Sequence, residues 1–300
     1  MQLGESERQQ TLVRSMPWVF VLIWSTGFVV ARFGMPHSPP MSFLALRFAL
    51  SLLCFVVWIG LAGVEWPRGR SQWLHLAVVG VLIHAAYLGG VWSAVKAGIG
   101  AGTVALLVGL QPVLTAIWST VTASATAQAR VSSRQWFGLA LGLAGLVLVV
   151  WRKLGGGEVT AWNLALAVFA LLGITAGTLY QKRFVAPCDV RSASAVQLLA
   201  AFVLTAPLSA LETEPIVWHP HMIGAMAWSV VVLTLGGSSL LYMLLQRGAA
   251  TRVTSLMYLV PPCTALMAWA LFAESFTPQM LFGMFLTVTG VALVVRAPVR

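Results

Sequence analysis

Ten apolar runs of roughly 18 to 25 residues, separated by charged or Pro/Gly punctuation, fill nearly all of this 300-residue chain. They fall near 16–35, 41–63, 72–96, 101–123, 133–152, 160–182, 191–210, 222–247, 252–273 and 277–296. A helix needs about 20 apolar residues to cross the hydrocarbon layer, whereas a membrane barrel alternates polar and apolar residues over strands of about 10. The runs therefore predict an all-α integral membrane protein with ten transmembrane helices. Only 9% of residues are charged and mean hydropathy is +0.88, which excludes a soluble domain with its roughly 25% charged residues. The three cysteines, Cys54, Cys188 and Cys263, lie far apart without CxxC spacing, so neither a disulfide framework nor a thiolate metal site is expected.

A net charge of +10 would suggest nucleic acid in a soluble protein; here its distribution encodes topology. With the N terminus inside, thirteen Lys and Arg residues fall in cytoplasmic loops and tails. Only Arg32, Lys96, Arg152 and Lys153 fall on the other side, and Arg47 lies within span 2. The positive-inside rule then makes both termini cytoplasmic. Glu158, Glu212, Glu214 and Glu274 fall outside. Residues 1–15 read as a cytoplasmic tail. The first run is kept as a span because Val30-Ala31-Arg32-Phe33 offers no small-x-small cleavage site.

The two halves, 16–152 and 160–296, repeat one another. At an offset of 150, Met41-Ser42 to Arg47 falls on Arg191-Ser192 to Gln197, Trp92 falls on Tyr242, and Gly98 on Gly248; Gly138 and Gly145 match Gly283 and Gly290 at 145. Five spans per half force the second copy to enter the membrane inverted. Both halves also carry a helix-breaking signature, Gly98 with Gln111-Pro112 and Gly248 with Pro261-Pro262. Lipid cannot satisfy the backbone groups that such breaks free, so the breaks must face protein or an aqueous cavity. Paired breaks in two repeats point to a transporter's binding site.

Several stretches carry a family resemblance. These are Trp24-Ser25-Thr26-Gly27-Phe28, Phe43-Leu44-Ala45-Leu46-Arg47-Phe48, Gly177-Thr178-Leu179-Tyr180-Gln181-Lys182-Arg183-Phe184, and the Pro-Pro run of span 9 closing at Phe272-Ala273-Glu274. Together they resemble the drug/metabolite transporter superfamily, and within it the ten-helix branch built from two EamA domains, over essentially the whole chain. The resemblance implies a 5+5 inverted repeat in the bacterial inner membrane, a central cavity opening alternately to each side, and metabolite export. Within that branch the chain is similar to amino-acid exporters of the YddG type. One departure stands out: an acid closes the fourth helix of each half in many EamA domains, as Glu274 does here, yet Ser124 occupies the first-half position.

Between the ends of its spans the chain has no Asp or Glu, so the carboxylate that small multidrug exporters use for proton exchange is missing. Gradient-driven, facilitated transport by alternating access is the expectation. Arg47, roughly 9 Å below the interface, reads either as a snorkelling anchor or as a contact for a substrate carboxylate. Broken helix ends supply N–H groups for a carboxylate and carbonyls for an ammonium. Gln111, Thr115, Thr175, Ser238 and Ser239 are candidates to complete that polar set, or to act as interhelical glue. His84 with Tyr87 and Ser238 with Tyr242 share helix faces, and Trp24, Trp92 and Tyr258 are further candidates for an apolar side chain. Trp18, Trp66, Trp73, Trp151 and Trp218 suit interfacial anchoring instead.

His219-Pro220-His221 reads as a plain external loop, since two ligands rarely suffice for a metal, and neither metal nor cofactor is expected. Expected partners are a small-molecule substrate and the lipid bilayer, with no nucleic acid and a monomeric state. Gly98, Pro112, Gly248, Pro261 and Pro262 are the expected hinges. The function expected is export of amino acids, aromatic and other hydrophobic ones included. The alternatives are another metabolite, such as a purine, nucleoside or drug-like compound, and remotely an integral membrane enzyme, for which no HExxH or GxSxG is present.

Overall fold

The computed structural model describes residues 2–121, 133–155, 157–237, 240, 259–274 and 277–295. The described residues form helices and no strands, and the helices follow the ten runs in order. Span 1 is Gln2–Gly34, span 2 Pro40–Ala62 and span 3 Arg70–Lys96. Span 4 is broken into Ala101–Val108 and Gln111–Val121, and span 5 is Ser133–Gly155. The second half gives Ala161–Phe184, Val190–Ser209, Pro220–Gly236, Val260–Phe272 and Pro278–Val295 as spans 6 to 10. Span 1 starts well before the expected residue 16, because the polar lead-in around Glu5, Glu7 and Gln9 is rich in helix formers.

Four helices, spans 2, 3, 6 and 7, are long and apolar enough to cross a membrane over the described residues alone. The outer surface is apolar, as lipid requires: Leu53, Val57 and Leu61 of span 2 are exposed, as are Trp18, Trp66, Trp73, Trp151 and Trp218.

Packing follows the repeat. Spans 2 and 7 pair, as do 4 and 9, and 5 and 10. Span 3 packs on 6 and 7 just as span 8 packs on 1 and 2, and span 4 touches 6 as span 9 touches 1. For these pairs, exchanging each span with its counterpart five places on returns a contact of the same kind, as a pseudo-twofold axis demands.

The glycines matched at offset 145 form the 5/10 seam. A Cβ on Gly290 would lie 2.5 Å from Gly142 N, and one on Gly283 would lie 2.7 Å from Gly145 O. Without water to drive helix association, such close backbone approach supplies the packing.

Span 3 and span 8 each contain a π-helical stretch, Gly80–Leu88 and Trp228–Gly236, at nearly matching repeat positions. The wider turn misaligns part of the backbone ladder and recurs at functional sites. Here it turns His84, Tyr87, Leu233 and Thr234 toward one space.

Candidate binding cavity

That space is a cavity of about 540 Å³ between the repeats, within the usual range of roughly 300–1,000 Å³ for ligand pockets. Trp24, His84, Tyr87 and Trp92 line it, together with Arg47, Gln197 and Thr234. Its wall continues to Gln181, Lys182, Ala186 and Pro187 in and after the end of span 6, which are exposed and form the mouth.

The polar groups come in two symmetric pairs. Arg47 donates to the Thr234 hydroxyl from Nε (3.4 Å) and Nη2 (3.2 Å), and Thr234 passes its own proton to Ser229 O at 2.8 Å. The Gln197 carbonyl oxygen lies 3.4 Å from His84 Nε2. Arg47 and Gln197 are equivalent at the 150-residue offset, and so are His84 and Thr234. One contact is thus repeated on both sides of the pseudo-twofold axis, with a cation on one side and an amide on the other.

Arg47 is 7% exposed, and among the described residues no carboxylate pairs with it. A neutral hydroxyl and the face of Trp92, 6.0 Å from the guanidinium carbon, are what it has. Trp92 is fixed by stacking on Phe43 at 4.3 Å, and Phe48 meets the His84 ring edge-on at 6.1 Å. A buried cation with only neutral partners leaves much of its desolvation uncompensated, which an anionic ligand group would offset.

Other sequence candidates lie elsewhere. Gln111 donates to Thr178 Oγ1 (2.9 Å), and Thr175 donates back to Leu171 O (2.7 Å); neither is on the cavity wall. The Thr115 hydroxyl likewise bonds Gln111 O. Such i−4 back-bonds satisfy a hydroxyl within its own helix. Ser238, Ser239, Tyr242, Gly248 and Tyr258 lie outside the described residues.

The break in span 4 meets the start of the described part of span 9. Pro112 and Pro261 each occupy the second position of a helix, Gln111–Val121 and Val260–Phe272, where no N–H is needed. Pro262 follows directly. The span 4 break packs on Pro261: a Cβ on Gly109 would stand 2.8 Å from Pro261 Cγ. Gly98 turns the chain after span 3 at φ 100°, a left-handed value that favours glycine.

The end opposite the mouth is tied shut across the repeats, and by the four acids that the topology placed together. Span 2 begins with Pro39-Pro40 and has no side-chain cap of its own. Glu212 of the second repeat accepts the Met41 N–H (2.9 Å), the Ser42 N–H (2.7 Å) and the Ser42 hydroxyl (2.7 Å). Span 4 likewise starts at uncapped Gly100, where Glu158 accepts Gly100 N–H (3.0 Å) and Glu274 accepts Ala101 N–H (3.1 Å). Lys96 pairs with Glu214. Orphan N–H groups and the positive helix end both favour these carboxylates.

At the mouth, Gln72 brackets Ala186, donating to its carbonyl (2.8 Å) and accepting its N–H (3.1 Å). Asp189 caps span 7 through Arg191 N–H and binds the Arg191 guanidinium. That side-chain hydrogen bond, against a smaller desolvation effect, holds its carboxyl below the usual range.

Comparison with known proteins agrees with this architecture. The model of the EamA-like transporter family matches residues 17–151 and again 161–296. The chain is 27% identical to the "Uncharacterized inner membrane transporter YedA" of Escherichia coli, covering 85% of this chain and 81% of the relative. It is 25% identical to the "Uncharacterized transporter YvbV" of Bacillus subtilis, over 91% and 88%. A "Probable amino-acid metabolite efflux pump" of Salmonella typhimurium is 23% identical, over 90% of each chain. A solved crystal structure shares the fold at TM-score 0.63 and 19% identity, covering 95% of this chain and 97% of that one. The chain belongs to the EamA-like transporter family and is a membrane transporter built from two copies of that domain.

Proposed function

We propose that the protein exports amino acids, hydrophobic and aromatic ones included, across the bacterial inner membrane, with the cavity as its substrate site. The observation that carries this reading is Arg47, a buried guanidinium in the cavity wall whose described partners are neutral. It would take the substrate carboxylate. Gln197 and the π-helical carbonyls of span 3 would take the ammonium, and Trp24, Tyr87 and Trp92 the apolar side chain. The printed name of the Salmonella relative points the same way.

In this reading both termini are cytoplasmic, so the mouth faces the cytoplasm and the acid-tied end faces outside. Export requires the Glu212, Glu158, Glu274 and Glu214 ties to release as the repeats rock. Gly98, Pro112, Gly248, Pro261 and Pro262 serve as the bending points. With no acid between the ends of the ten apolar runs, transport is facilitative in this reading, and with both repeats in one chain the protein works as a monomer. The test is uptake of labelled phenylalanine into liposomes holding the purified protein, with and without a proton gradient. Gradient-independent uptake that other amino acids compete away is expected. Absence of phenylalanine flux, in protein that moves another solute such as a nucleoside, overturns the assignment.

A further inference from the structure

At the acid-tied end the loop after span 1 and the start of span 8 bring three histidines together. The ring nitrogens of His37, His219 and His221 lie within 4.8 Å of one another. His37 stacks on His219 with centroids 4.2 Å apart and planes 13° apart, and His219 meets His221 edge-on at 4.8 Å. A ring of Phe33 covers His221 at 5.4 Å.

The two segments are stiff and joined. His37 sits in Pro36-His37-Ser38-Pro39-Pro40, and Pro220 separates the other two histidines. Proline fixes φ at these positions, so little conformational freedom is left to lose on binding. His37 O accepts the Val217 N–H at 2.8 Å, which pins one segment to the other. Ser38, 1% exposed, anchors the turn beneath.

We propose that His37, His219 and His221 form a site for a divalent d-block cation of the zinc type. Three imidazoles with an open fourth position for water make a recognised zinc donor set. With metal–nitrogen bonds of about 2.0–2.1 Å, tetrahedral ligands stand roughly 3.4 Å apart. The three nitrogens therefore need to close by up to about 1.4 Å, and the stacked rings of His37 and His219 must rotate out of parallel so that their in-plane lone pairs converge on the ion. The set contains nitrogen donors and no carboxylate, which favours zinc, nickel or copper over calcium and magnesium. His219 Nδ1 now accepts the His221 N–H at 3.2 Å. The ring ligates either through Nδ1 or through Nε2 after its proton moves to Nδ1, and either route gives up that bond, leaving the His221 N–H to water. His37 belongs to the first repeat and the other two to the second, so a bound ion ties the repeats at this end.

The experiment is Zn2+ titration of the purified, untagged, full-length protein by calorimetry. One equivalent is expected, with affinity falling at least about tenfold in His37→Ala and in His221→Ala, and unchanged in His75→Ala. Zn2+ should also raise the unfolding temperature of the wild type and not of His37→Ala. In wild-type protein Zn2+ should protect all three histidines, and not His75, from diethyl pyrocarbonate, a readout that needs no variant. Binding unaffected by His37→Ala, absence of binding at millimolar Zn2+, or equal modification with and without Zn2+ overturns the proposal.

Discussion

Replacing Arg47 by Gln separates the roles that a buried cation can play. Its described contacts are one hydroxyl and one aromatic face, so the substitution strands no charged partner and should leave the fold intact. A charge-assisted hydrogen bond to a carboxylate contributes about 1.5–3 kcal/mol, and each 1.36 kcal/mol is tenfold in affinity. Arg47→Gln should therefore weaken phenylalanine competition in the liposome assay by roughly 10- to 150-fold. Phenethylamine, which keeps the ring and ammonium and lacks the carboxylate, should compete equally well with both proteins. The comparison isolates the carboxylate, since the aromatic wall is common to both ligands. Unchanged phenylalanine affinity in a folded Arg47→Gln protein refutes the assignment, and so does an equal loss for both ligands.

Glu212→Ala removes the acceptor of three bonds at the start of span 2 and should loosen the closed end. A cysteine placed at buried Ser38 should then react faster with maleimide than in the Glu212 background. Cys188 lies half-buried on the cavity wall, so phenylalanine should slow its maleimide labelling in a Cys54→Ser, Cys263→Ser protein. Gly290→Ala drives a Cβ into the backbone of span 5 and should cost about 1–3 kcal/mol, read as a lower unfolding temperature in detergent. Asp189 has a depressed pKa, so its cap is fully stabilising above its unfolded value of about 3.9 and is lost as pH falls through the lower folded value. Wild-type transport should thus show no step from this group between pH 5 and 8, and Asp189→Asn should not alter the profile there.

The ten spans and the repeat were legible because lipid imposes length and punctuation on every crossing. The matched glycines at offset 145 supported the repeat in the sequence, and the structure shows that they also form a packed seam. The cavity was legible in part. Trp24, His84, Tyr87 and Trp92 line it, and Arg47 was weighed only as a second possibility. Gln197 and Thr234 were missed although the signal was present: the offset that puts Arg47 on Gln197 also puts His84 on Thr234.

Gln111 and Thr175 looked like site residues because each is a polar residue in an apolar run. Gln111 instead bonds Thr178 between helices, the alternative kept open for it, while a sequence does not show that a hydroxyl such as that of Thr175 bonds its own helix. The four acids share one end, as their loops required, but the sequence did not reveal what they bond, because the partners of Glu212, Glu158 and Glu274 include backbone N–H groups that carry no residue signature. His37 stayed unconnected to His219 and His221, since no local spacing links the ends of spans 1 and 8. The π-helical turns left no mark beyond glycines at Gly80 and Gly236.

The central claim is that an amino acid sits between Arg47 and the Gln197–His84 pair. Photo-leucine, an amino acid carrying a diazirine, tests it when crosslinked to the purified protein and mapped by mass spectrometry. Labels on peptides containing Trp24, His84 to Trp92 or Leu233, suppressed by phenylalanine and not by phenethylamine at equal concentration, are the predicted result. Labelling spread over lipid-facing residues such as Leu53 and Leu61, or cavity labelling that phenylalanine does not suppress, would contradict it.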